Sequence, residues 1–401
     1  MKIAILSDFH LGYERFSEDA YKQAEEALNK AAELADMMII PGDIFDIRNP
    51  RIEILAQGIN LFRNITKRHW SARVVAYKGN KRLFTDIPII AIPGTHERRA
   101  QNAGNSVELL SLAGLLIDAS DSTVEIEKDG EKVAVFSLGG LSEEKVRETL
   151  KEINPTPVDG AFNIFQFHQS IYELLPFSND FIKFEELPKG FDLYIDGHIH
   201  SKLESKLFGK PFLIPGSTVL TQLKEAEQEQ KGFFIFDTKN KSYNFVKIGS
   251  REFIVEKIAI AGKDPQQIQQ ETEQAIEGIL KRSGEKPVIR IVFDGELKHG
   301  YRNVDLDMLD ILKRYKEKAA LEISTSKIED TATNSEIESL RKGALENISI
   351  KDYGLSIFIE QLKKSDYSLK KNPTELFETL SSDQKKDKII DEIMEELFEK
   401  H

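Results

Sequence analysis

The chain of 401 residues has no cysteine, a single tryptophan, and no apolar run near the ~18 residues that a membrane span needs. Without cysteine it can form neither a disulfide framework nor a thiolate metal site, which is typical of an intracellular protein. The first apolar run, at 2–8, is too short for a signal peptide, and a charged residue already ends it at position 8. These absences predict a cytoplasmic protein without membrane attachment.

Positive charge is also scarce, because 55 Lys and Arg against 67 Asp and Glu leave a net charge of −12. The strongly basic surface that is usual in nucleic-acid binders is therefore missing from the chain as a whole. An enzyme that meets phosphates through metal ions is still possible, since the ions bring their own positive charge. The length allows two or three domains.

Short apolar runs typical of strands alternate with helical patterns through about residue 250. This alternation predicts an α/β fold in which helices flank mixed sheets. Polar residues follow directly after several of the predicted strands. Because ligands lie at the carboxyl ends of strands in open α/β sheets, we expect the functional site there.

The pattern changes after residue 250. Residues 251–326 read as a small second α/β domain. Residues 327–401 are polar, with helix candidates at 348–362 and 374–398. Two interpretations of this tail stay open: a solvated helical segment, or a pair of partner-binding helices whose apolar faces are buried on another protein.

Metal-capable side chains are concentrated after the predicted strands, where five of the 8 histidines occur. Carboxylate and imidazole ligands without thiolate suit a catalytic site for Mn, Fe or Zn. In D-x-H and H-x-H, residues two apart share one face of a strand, so each pair can point to the same side. The carboxylate of Asp43 could bridge two ions ~3.5–4 Å apart, which would clamp the oxygens of a phosphoryl displacement. The candidate residues are Asp8, His10, Asp43, Thr95, His96, His168, His198 and His200.

The order D-x-H, G-D, G-x-H-E, H and G-H-x-H resembles the calcineurin-like binuclear metallophosphoesterase superfamily. HLGYERF, GDIFDIRNP, GHIHSKLE and IPGSTVLTQLKEAEQEQKGFFIFD resemble, more narrowly, its DNA double-strand-break repair nucleases, the meiotic-recombination-eleven family, called SbcD in bacteria. The resemblance implies a layered sandwich of mixed sheets flanked by helices over 1–250, which is the nuclease domain. It implies a DNA-capping domain over 251–326, and a linker with helices that bind an ATPase over 327–401.

The resemblance also implies roles for individual residues. Two Mn²⁺ ions per subunit are expected, one held by Asp8, His10, Asp43 and His200, the other by Asp43, Thr95, His168 and His198. His96 takes the place of the catalytic histidine that is not a ligand.

Two positions depart from the family. The family has Asn in place of Thr95, and a hydroxyl is a weaker ligand, so we expect a weakened second ion. Some members carry His in place of Asp46, and an acid there could repel phosphate or bind a metal's water.

DNA contacts are predicted at basic and turn residues. The segment 66–84 has six basic residues and no acid, and Gly79-Asn80 in it suggests a hairpin turn. Such a patch would contact phosphates and set position, not sequence preference. The predicted contacts are Lys78, Lys81, Arg82, Arg98, Arg99, Ser217 and Thr218.

The predicted function is a Mn-dependent nuclease, 3′→5′ exonuclease on duplex ends and endonuclease on single strands, in a prokaryotic cytoplasm at the nucleoid. Its implied partners are DNA ends, an SMC-like coiled-coil ATPase of the radiation-sensitivity-fifty (SbcC) type, and a second copy of the chain, paired through helices 51–64 and 105–116. Two alternatives stay open. One is a binuclear phosphoesterase on small substrates, and the other is a weakly catalytic DNA-end-binding scaffold for the ATPase.

Overall fold

The computed structural model describes residues 1–98, 104–176, 181–284 and 286–329, with positions 355 and 359. The chain divides into two compact units, one formed by 1–256, 275–291 and 313–322, the other by 257–274, 292–312 and the described residues from 323 on. The domain boundaries at 250 and 326 stay a prediction. The two helices expected in the tail lie outside the described residues, apart from positions 355 and 359.

The described part of the chain has six α-helices and sixteen strands in α/β alternation. The helices are α1 Ser17–Leu34, α2 Ile52–Thr66, α3 Ser106–Leu112, α4 Glu143–Ile153, α5 Pro265–Arg282 and α6 Leu309–Tyr315. The strands are β1 Lys2–Ile5, β2 Met37–Pro41, β3 Arg73–Lys78, β4 Ile89–Ile92, β5 Ile117–Asp118, β6 Ser122–Lys128, β7 Glu131–Ser137, β8 Phe162–Phe167, β9 Leu193–Asp196, β10 Leu203–Leu207, β11 Lys210–Ile214, β12 Gly232–Asp237, β13 Ser242–Lys247, β14 Phe253–Ala259, β15 Val288–Glu296 and β16 Ala320–Glu329.

Two large mixed sheets form the body of the first unit. One has the strand order β13-β12-β1-β2-β4-β5, and the other β10-β11-β9-β8-β7-β6-β3. In the first, β1, β2 and β4 run parallel, and in the second β7, β8 and β9 run parallel. Hydrophobic side chains of both sheets pack into one buried cluster, for example Ile5 and Ile39 with Val135 and Ile195. The two sheets therefore form a sandwich.

Helices cover the outer faces of the sandwich because their apolar residues repeat at helical spacing. In α1 the small side chains of Ala20, Ala24, Ala27 and Ala31 are all fully buried. They follow each other every three or four residues, which places them on one face of the helix. The sandwich of mixed sheets flanked by helices that the sequence predicts is confirmed.

The basic segment 66–84 differs from the prediction. β3 at Arg73–Lys78 pairs with β6, and the residues after Gly79-Asn80 do not return as a strand. The expected hairpin is therefore wrong, because β3 finds its partner across the sheet at a β-bulge between Val74 and Ala76.

Three further strands form a sheet of order β14-β15-β16, and α5 and α6 lie between them in the sequence. This is the β-α-β pattern expected after residue 250. Within the described ranges, no helix is both long and apolar enough to cross a lipid bilayer.

Candidate metal centre

Loops at the carboxyl ends of the parallel strands carry the candidate metal ligands. Asp8 and His10 follow β1, and Asp43 follows β2. All three have a left-handed backbone, with φ of 54°, 46° and 51°, and so has His198 after β9, with φ of 68°. Non-glycine residues rarely adopt this conformation, and such strain is concentrated at functional sites. The strand ends therefore hold these side chains in a conformation that local preference does not favour.

Asp8, His10 and His200 form the first group of possible ligands. The Nε2 atoms of His10 and His200 are 3.1 Å apart. Each also lies near Asp8 Oδ1, at 3.8 Å for His10 and 3.7 Å for His200. One nitrogen or oxygen from each residue lies within 4.8 Å of the others, as a shared cation would require.

Asp8, Asp43 and His168 form a second group with the same mutual spacing. His168 Nε2 lies 3.3 Å from Asp43 Oδ2. Asp8 belongs to both groups. The sequence predicts instead that the Asp43 carboxylate bridges the two ions. The two groups thus meet at a pair of buried carboxylates.

Thr95 and His198 lie together beside the second group. Thr95 Oγ1 is 3.3 Å from His198 Nδ1, and Ser170 Oγ is 3.0 Å from the other ring nitrogen, Nε2. The rings of His198 and His168 are in edge-to-face contact at 5.3 Å between centroids. His198 is absent from the metal-capable groups found among the described His, Asp and Glu residues. Its expected place as a ligand with Thr95 stays a prediction.

Hydrogen bonds fix which nitrogen of each histidine faces the centre. His168 Nδ1 lies 2.7 Å from the Pro41 carbonyl oxygen, which can only accept, so Nδ1 carries the proton. His10 Nδ1 faces Asp46 Oδ1 at 3.1 Å in the same way. In the neutral form of each ring Nε2 is then a lone pair, which is the form that binds a metal.

Several buried polar atoms at the centre have no hydrogen-bond partner. They are both carboxylate oxygens of Asp8, Oδ2 of Asp43 and Nε2 of His168. A buried carboxylate without a partner is costly, and buried charges are normally paired or bound to a metal. Divalent cations would satisfy all four atoms at once, so the residues fit the two ions that the sequence predicts.

The ionisation of the metal-free centre reflects the crowding of these groups. Burial raises the pKa of Asp8 to about 6, while nearby His168 opposes the rise. Burial lowers the pKa of His168, but the adjacent Asp43 carboxylate outweighs it and raises the pKa to about 10. For Asp43, burial is outweighed by His168, which holds its pKa well below the usual range. Burial lowers the pKa of His198 to about 4.

His96 is placed differently from the ligands, because its side chain is 42% exposed. Its backbone N–H donates to Asp43 Oδ1 at 2.9 Å. Its ring is in edge-to-face contact with that of His10, with centroids 4.9 Å apart. Its Nδ1 contacts the Asp46 carbonyl oxygen. Nε2 is thus the ring nitrogen left to meet a molecule that arrives from solvent.

Glu97, next to His96, is fully buried and connects two loops of the centre. Its carboxylate accepts from the backbone N–H of Phe45 at 2.9 Å and of Gly94 at 3.0 Å. Burial, together with nearby Asp43, raises its pKa to about 8. The carboxylate fixes the loop after β2 against the loop after β4, and so sets Asp43 relative to His96.

The predicted DNA contacts lie in different surroundings. Ser217 and Thr218 are buried, and the Ser217 hydroxyl donates to the Val219 carbonyl at 2.6 Å. Direct contact of these two residues with DNA stays a prediction that their burial does not support. Arg98 Nη1 donates to the Leu141 carbonyl at 2.7 Å, and Arg99 lies outside the described residues.

The three DNA contacts predicted in the basic segment, Lys78, Lys81 and Arg82, differ in their surroundings. Lys81 pairs with the buried carboxylate of Asp118. Lys78 is exposed on β3, and the Arg82 guanidinium lies over the Phe84 ring at 5.5 Å. Of these three predicted contacts, Lys78 and Arg82 are exposed, whereas Lys81 is held by Asp118.

The apolar residues of the helices expected at a dimer interface are partly buried in the core and partly exposed. Phe62 of α2 and Leu116 after α3 are buried in the core. Leu109 and Leu112 of α3 are 42% and 54% exposed, and Ile52 of α2 is 80% exposed. Part of the predicted stripe is therefore core, and part is open to a partner.

Sequence reasoning missed three residues that support the centre. Asp46 accepts from His10, and neither role suggested for it in the sequence included that contact. Glu227 and Lys231 form a buried ion pair with Nζ and Oε1 3.1 Å apart. Their spacing of four residues was a signal, but in a polar stretch it is typical of an exposed pair.

Comparison with known proteins agrees with this geometry. Residues 1–202 match the family described as calcineurin-like phosphoesterase. The DNA double-strand break repair protein Mre11 of Sulfolobus acidocaldarius is 26% identical over 341 residues, covering 79% of this chain and 81% of the relative. MRE11 of Encephalitozoon cuniculi is 26% identical over 306 residues, covering 70% of this chain and 53% of the relative.

The human double-strand break repair protein MRE11 is 26% identical over 364 residues, covering 73% of this chain and 50% of the relative. The chain thus spans about half the length of these two eukaryotic relatives. The resemblance that the motifs carry, to the break-repair branch of the binuclear phosphoesterases, is confirmed.

Proposed function

Because the chain belongs to the calcineurin-like phosphoesterase family, we propose that it is a two-metal DNA nuclease of double-strand-break repair. The family and its relatives make it a metal-dependent phosphodiesterase. That its substrate is DNA is supported by relatives named as DNA double-strand break repair proteins.

The convergence of the two ligand groups at Asp8 carries the proposal. Asp8, His10 and His200 share one centre, and Asp8, Asp43 and His168 share another. Each group holds acceptors without hydrogen-bond partners, as a cation site would. Two adjacent cation sites are the arrangement that clamps both oxygens of an in-line phosphoryl displacement.

When bound, two divalent ions supply a water activated for attack and positive charge for the phosphoryl oxygens. The chain's own residues orient and complete this arrangement. The carboxylates of Asp8 and Asp43 are buried, at 0% and 1% exposure. Asp43 also accepts from the His96 backbone N–H, so one residue connects the ligand groups to the candidate catalytic ring.

His96 is the residue proposed to act on the scissile phosphate. Its Nδ1 is taken by the Asp46 carbonyl, and its exposed side leaves Nε2 open to a substrate. When both nitrogens carry protons, Nε2 can donate one to the leaving oxygen or a hydrogen bond to the phosphoryl oxygen.

We propose Mn²⁺ as the metal, with two ions per subunit. The ligands are nitrogen and oxygen only, which suits Mn, Fe or Zn. Thr95 offers a neutral hydroxyl beside His198, so the ion on this side is the weaker of the two. Titration of the metal-free protein with each cation in turn, with stoichiometry read directly, decides the metal.

The proposed partners are DNA ends, a coiled-coil ATPase bound by the C-terminal helices, and a second copy of the chain. Exposed Leu109, Leu112 and Ile52 support the dimer. We place the protein at the nucleoid in the cytoplasm, with 3′→5′ exonuclease action on duplex ends and endonuclease action on single strands. Sedimentation of the chain alone, and with Leu112→Glu, tests the dimer.

A cleavage assay tests the function. Labelled linear duplex, hairpin DNA, bis-p-nitrophenyl phosphate and nucleotides are offered with Mn²⁺ to the protein and to Asp43→Ala. We expect the unaltered protein to cut the DNA and the Asp43→Ala variant to leave it uncut. Faster turnover of the small esters than of DNA would favour a small-substrate phosphodiesterase. If the protein binds DNA without cutting it and holds one ion per chain, the weakly catalytic DNA-end-binding scaffold is favoured.

A further inference from the structure

A chain of polar contacts leads away from His200 on the side of its ring opposite the centre. His200 Nδ1 contacts Thr221 Oγ1. Thr221 Oγ1 lies 3.1 Å from Glu227 Oε1. Lys231 Nζ donates to the same Glu227 oxygen at 3.1 Å. We call Lys231, Glu227 and Thr221 the His200 relay.

The donor and acceptor roles in the relay follow from its two ends. Lys231 is a pure donor, so Glu227 is the acceptor of their contact. The Thr221 hydroxyl has one proton, and the carboxylate of Glu227 requires it to donate there. The Thr221 oxygen is then free only to accept, and His200 Nδ1 must be the donor. His200 is therefore held with its proton on Nδ1 and its lone pair on Nε2, facing His10 and Asp8.

Two of the three residues of the relay are buried. Glu227 and Lys231 are 3% and 5% exposed. The Glu227 carboxylate also accepts from the backbone N–H groups of Thr221, Gln222 and Leu223, at 3.2, 2.7 and 2.8 Å. Leu223 has a left-handed backbone with φ of 50°. The same carboxylate thus fixes the loop that carries Thr221.

Lys231 connects the relay to the His200 backbone. Its Nζ donates to the His200 carbonyl at 3.2 Å and to Ser217 Oγ at 2.9 Å. The ring and the backbone of His200 are therefore held by one buried ion pair. Removing one partner of such a pair leaves the other as an uncompensated buried charge and destabilises the fold, so variants of Glu227 or Lys231 would test folding and not the relay.

The four histidines of the centre differ in what holds their outer nitrogens. His10 is held directly by the Asp46 carboxylate and His200 by the Glu227 carboxylate through one hydroxyl. His168 is held by a peptide carbonyl, and the two nitrogens of His198 lie beside the hydroxyls of Thr95 and Ser170. In the Asp8, His10 and His200 group, the outer nitrogen of each histidine is thus connected to a carboxylate. Such a connection raises the basicity of the nitrogen that binds the metal.

We propose that the His200 relay is a positioning device that fixes the His200 tautomer and makes the Asp8, His10 and His200 group the tighter of the two cation sites. Thr221, Glu227 and Lys231 act through His200 and touch neither metal nor substrate. The inference rests on the proposed function, since it assumes that this group binds a divalent ion.

Thr221→Val tests the relay, because it removes the hydroxyl and keeps the shape of the side chain. We expect the tighter Mn²⁺ dissociation constant to rise by about 10–100-fold, as is typical for loss of an outer-shell partner, and the weaker constant to stay unchanged. Thr221→Ser should restore most of the affinity. Thr66→Val, which removes a hydroxyl bonded to the Arg63 carbonyl in α2, is the matched control. Calorimetric titration with Mn²⁺ alone measures both constants, and thermal unfolding of the metal-free variants checks their folding.

The tautomer of His200 gives a second readout that does not depend on metal affinity. Nitrogen NMR of the metal-free protein, assigned with His200→Gln, should show the proton on Nδ1. A proton on Nε2, or a Thr221→Val variant that binds Mn²⁺ with both original constants, would overturn the relay. If the unaltered protein binds no Mn²⁺, the proposed function fails instead, and the tautomer still decides whether the relay holds the ring.

Discussion

The Nε2 atoms of His10 and His200 lie 3.1 Å apart, although 190 positions separate the residues in the chain. Both outer nitrogens are engaged as donors, His10 to Asp46 and His200 to Thr221. When both rings are neutral, the two facing nitrogens are both lone pairs and cannot bond to each other. A cation between them would remove the repulsion, which indicates that the two nitrogens are ligands of one metal ion.

Asp46 should matter for metal binding through its contact with His10. Asp46→Ala removes the acceptor of the Nδ1–H, and we expect the Mn²⁺ dissociation constant to rise toward 100-fold, at the upper end of about 10–100-fold for such partners. Asp46→Asn keeps an oxygen acceptor without the charge, and its loss should be about tenfold or less. Calorimetric titration compares the two, and equal constants for all three proteins would rule out this role for Asp46.

Thr95→Asn should strengthen the weaker ion. An amide oxygen in the place of the hydroxyl beside His198 is a better ligand for a hard cation, so we expect that dissociation constant to fall on the order of tenfold. Thr95→Val, which offers no oxygen, should abolish binding of that ion alone. The number of Mn²⁺ per chain at limiting metal is the measurement. The idea fails if the Asn variant binds this ion no more tightly than the unaltered protein, or if the Val variant still binds two ions.

Metal binding should release protons at neutral pH. The metal-free His168 has its pKa raised to about 10, so at pH 7 it holds a proton on the nitrogen that faces the ion. Asp8, with its pKa raised to about 6, adds a second proton as the pH falls below that value. Mn²⁺ affinity should therefore fall from pH 8 to pH 5. Calorimetry in buffers of different ionisation enthalpy counts the protons, and a count of zero at pH 7 contradicts this picture of His168.

Gly94→Ala should disrupt the centre because the loops approach too closely for a side chain. A Cβ at this position would lie 2.2 Å from Asp43 Oδ1 and 2.5 Å from the Asp43 backbone nitrogen. We expect Mn²⁺ binding to be lost, since Asp43 must move. Gly278→Ala in α5, where nothing lies within 4 Å of the added Cβ, is the matched control. That control should gain about 0.5–1 kcal/mol of stability as a helical residue. Unchanged Mn²⁺ binding by Gly94→Ala would show that the loop is not as tight as described.

The position of the centre could be predicted from the sequence, but the way its residues converge could not. Strand alternation was expected to aim Asp8 and His10 to one side. Both instead follow the end of β1, with left-handed backbones, and the loop aims them. His198 and His200 likewise meet different neighbours, Thr95 and His10. Backbone strain of this kind depends on the surrounding fold and leaves no local pattern in the sequence.

The supporting residues escaped prediction for a related reason. Glu227 and Lys231 stand in a run of Glu, Gln and Lys, which by composition is a solvated surface. Only the tertiary fold buries them behind His200. Conversely, Ser217 and Thr218 looked like site-lining residues and are buried with their backbone near it, the Thr218 N–H donating to the Asp8 carbonyl at 3.3 Å. Burial is a long-range property, and short motifs do not report it.

The central claim is that two bound ions and His96 together hydrolyse DNA phosphodiester bonds. The most direct measurement is Mn²⁺-dependent cleavage of labelled linear duplex by the protein and by His96→Ser, with metal stoichiometry measured in parallel. We predict that His96→Ser keeps its Mn²⁺ and loses about 10²–10⁴-fold in rate, as expected for a general acid that is not a ligand. Duplex that the metal-loaded protein leaves uncut, or that His96→Ser cuts at the same rate, would contradict the account.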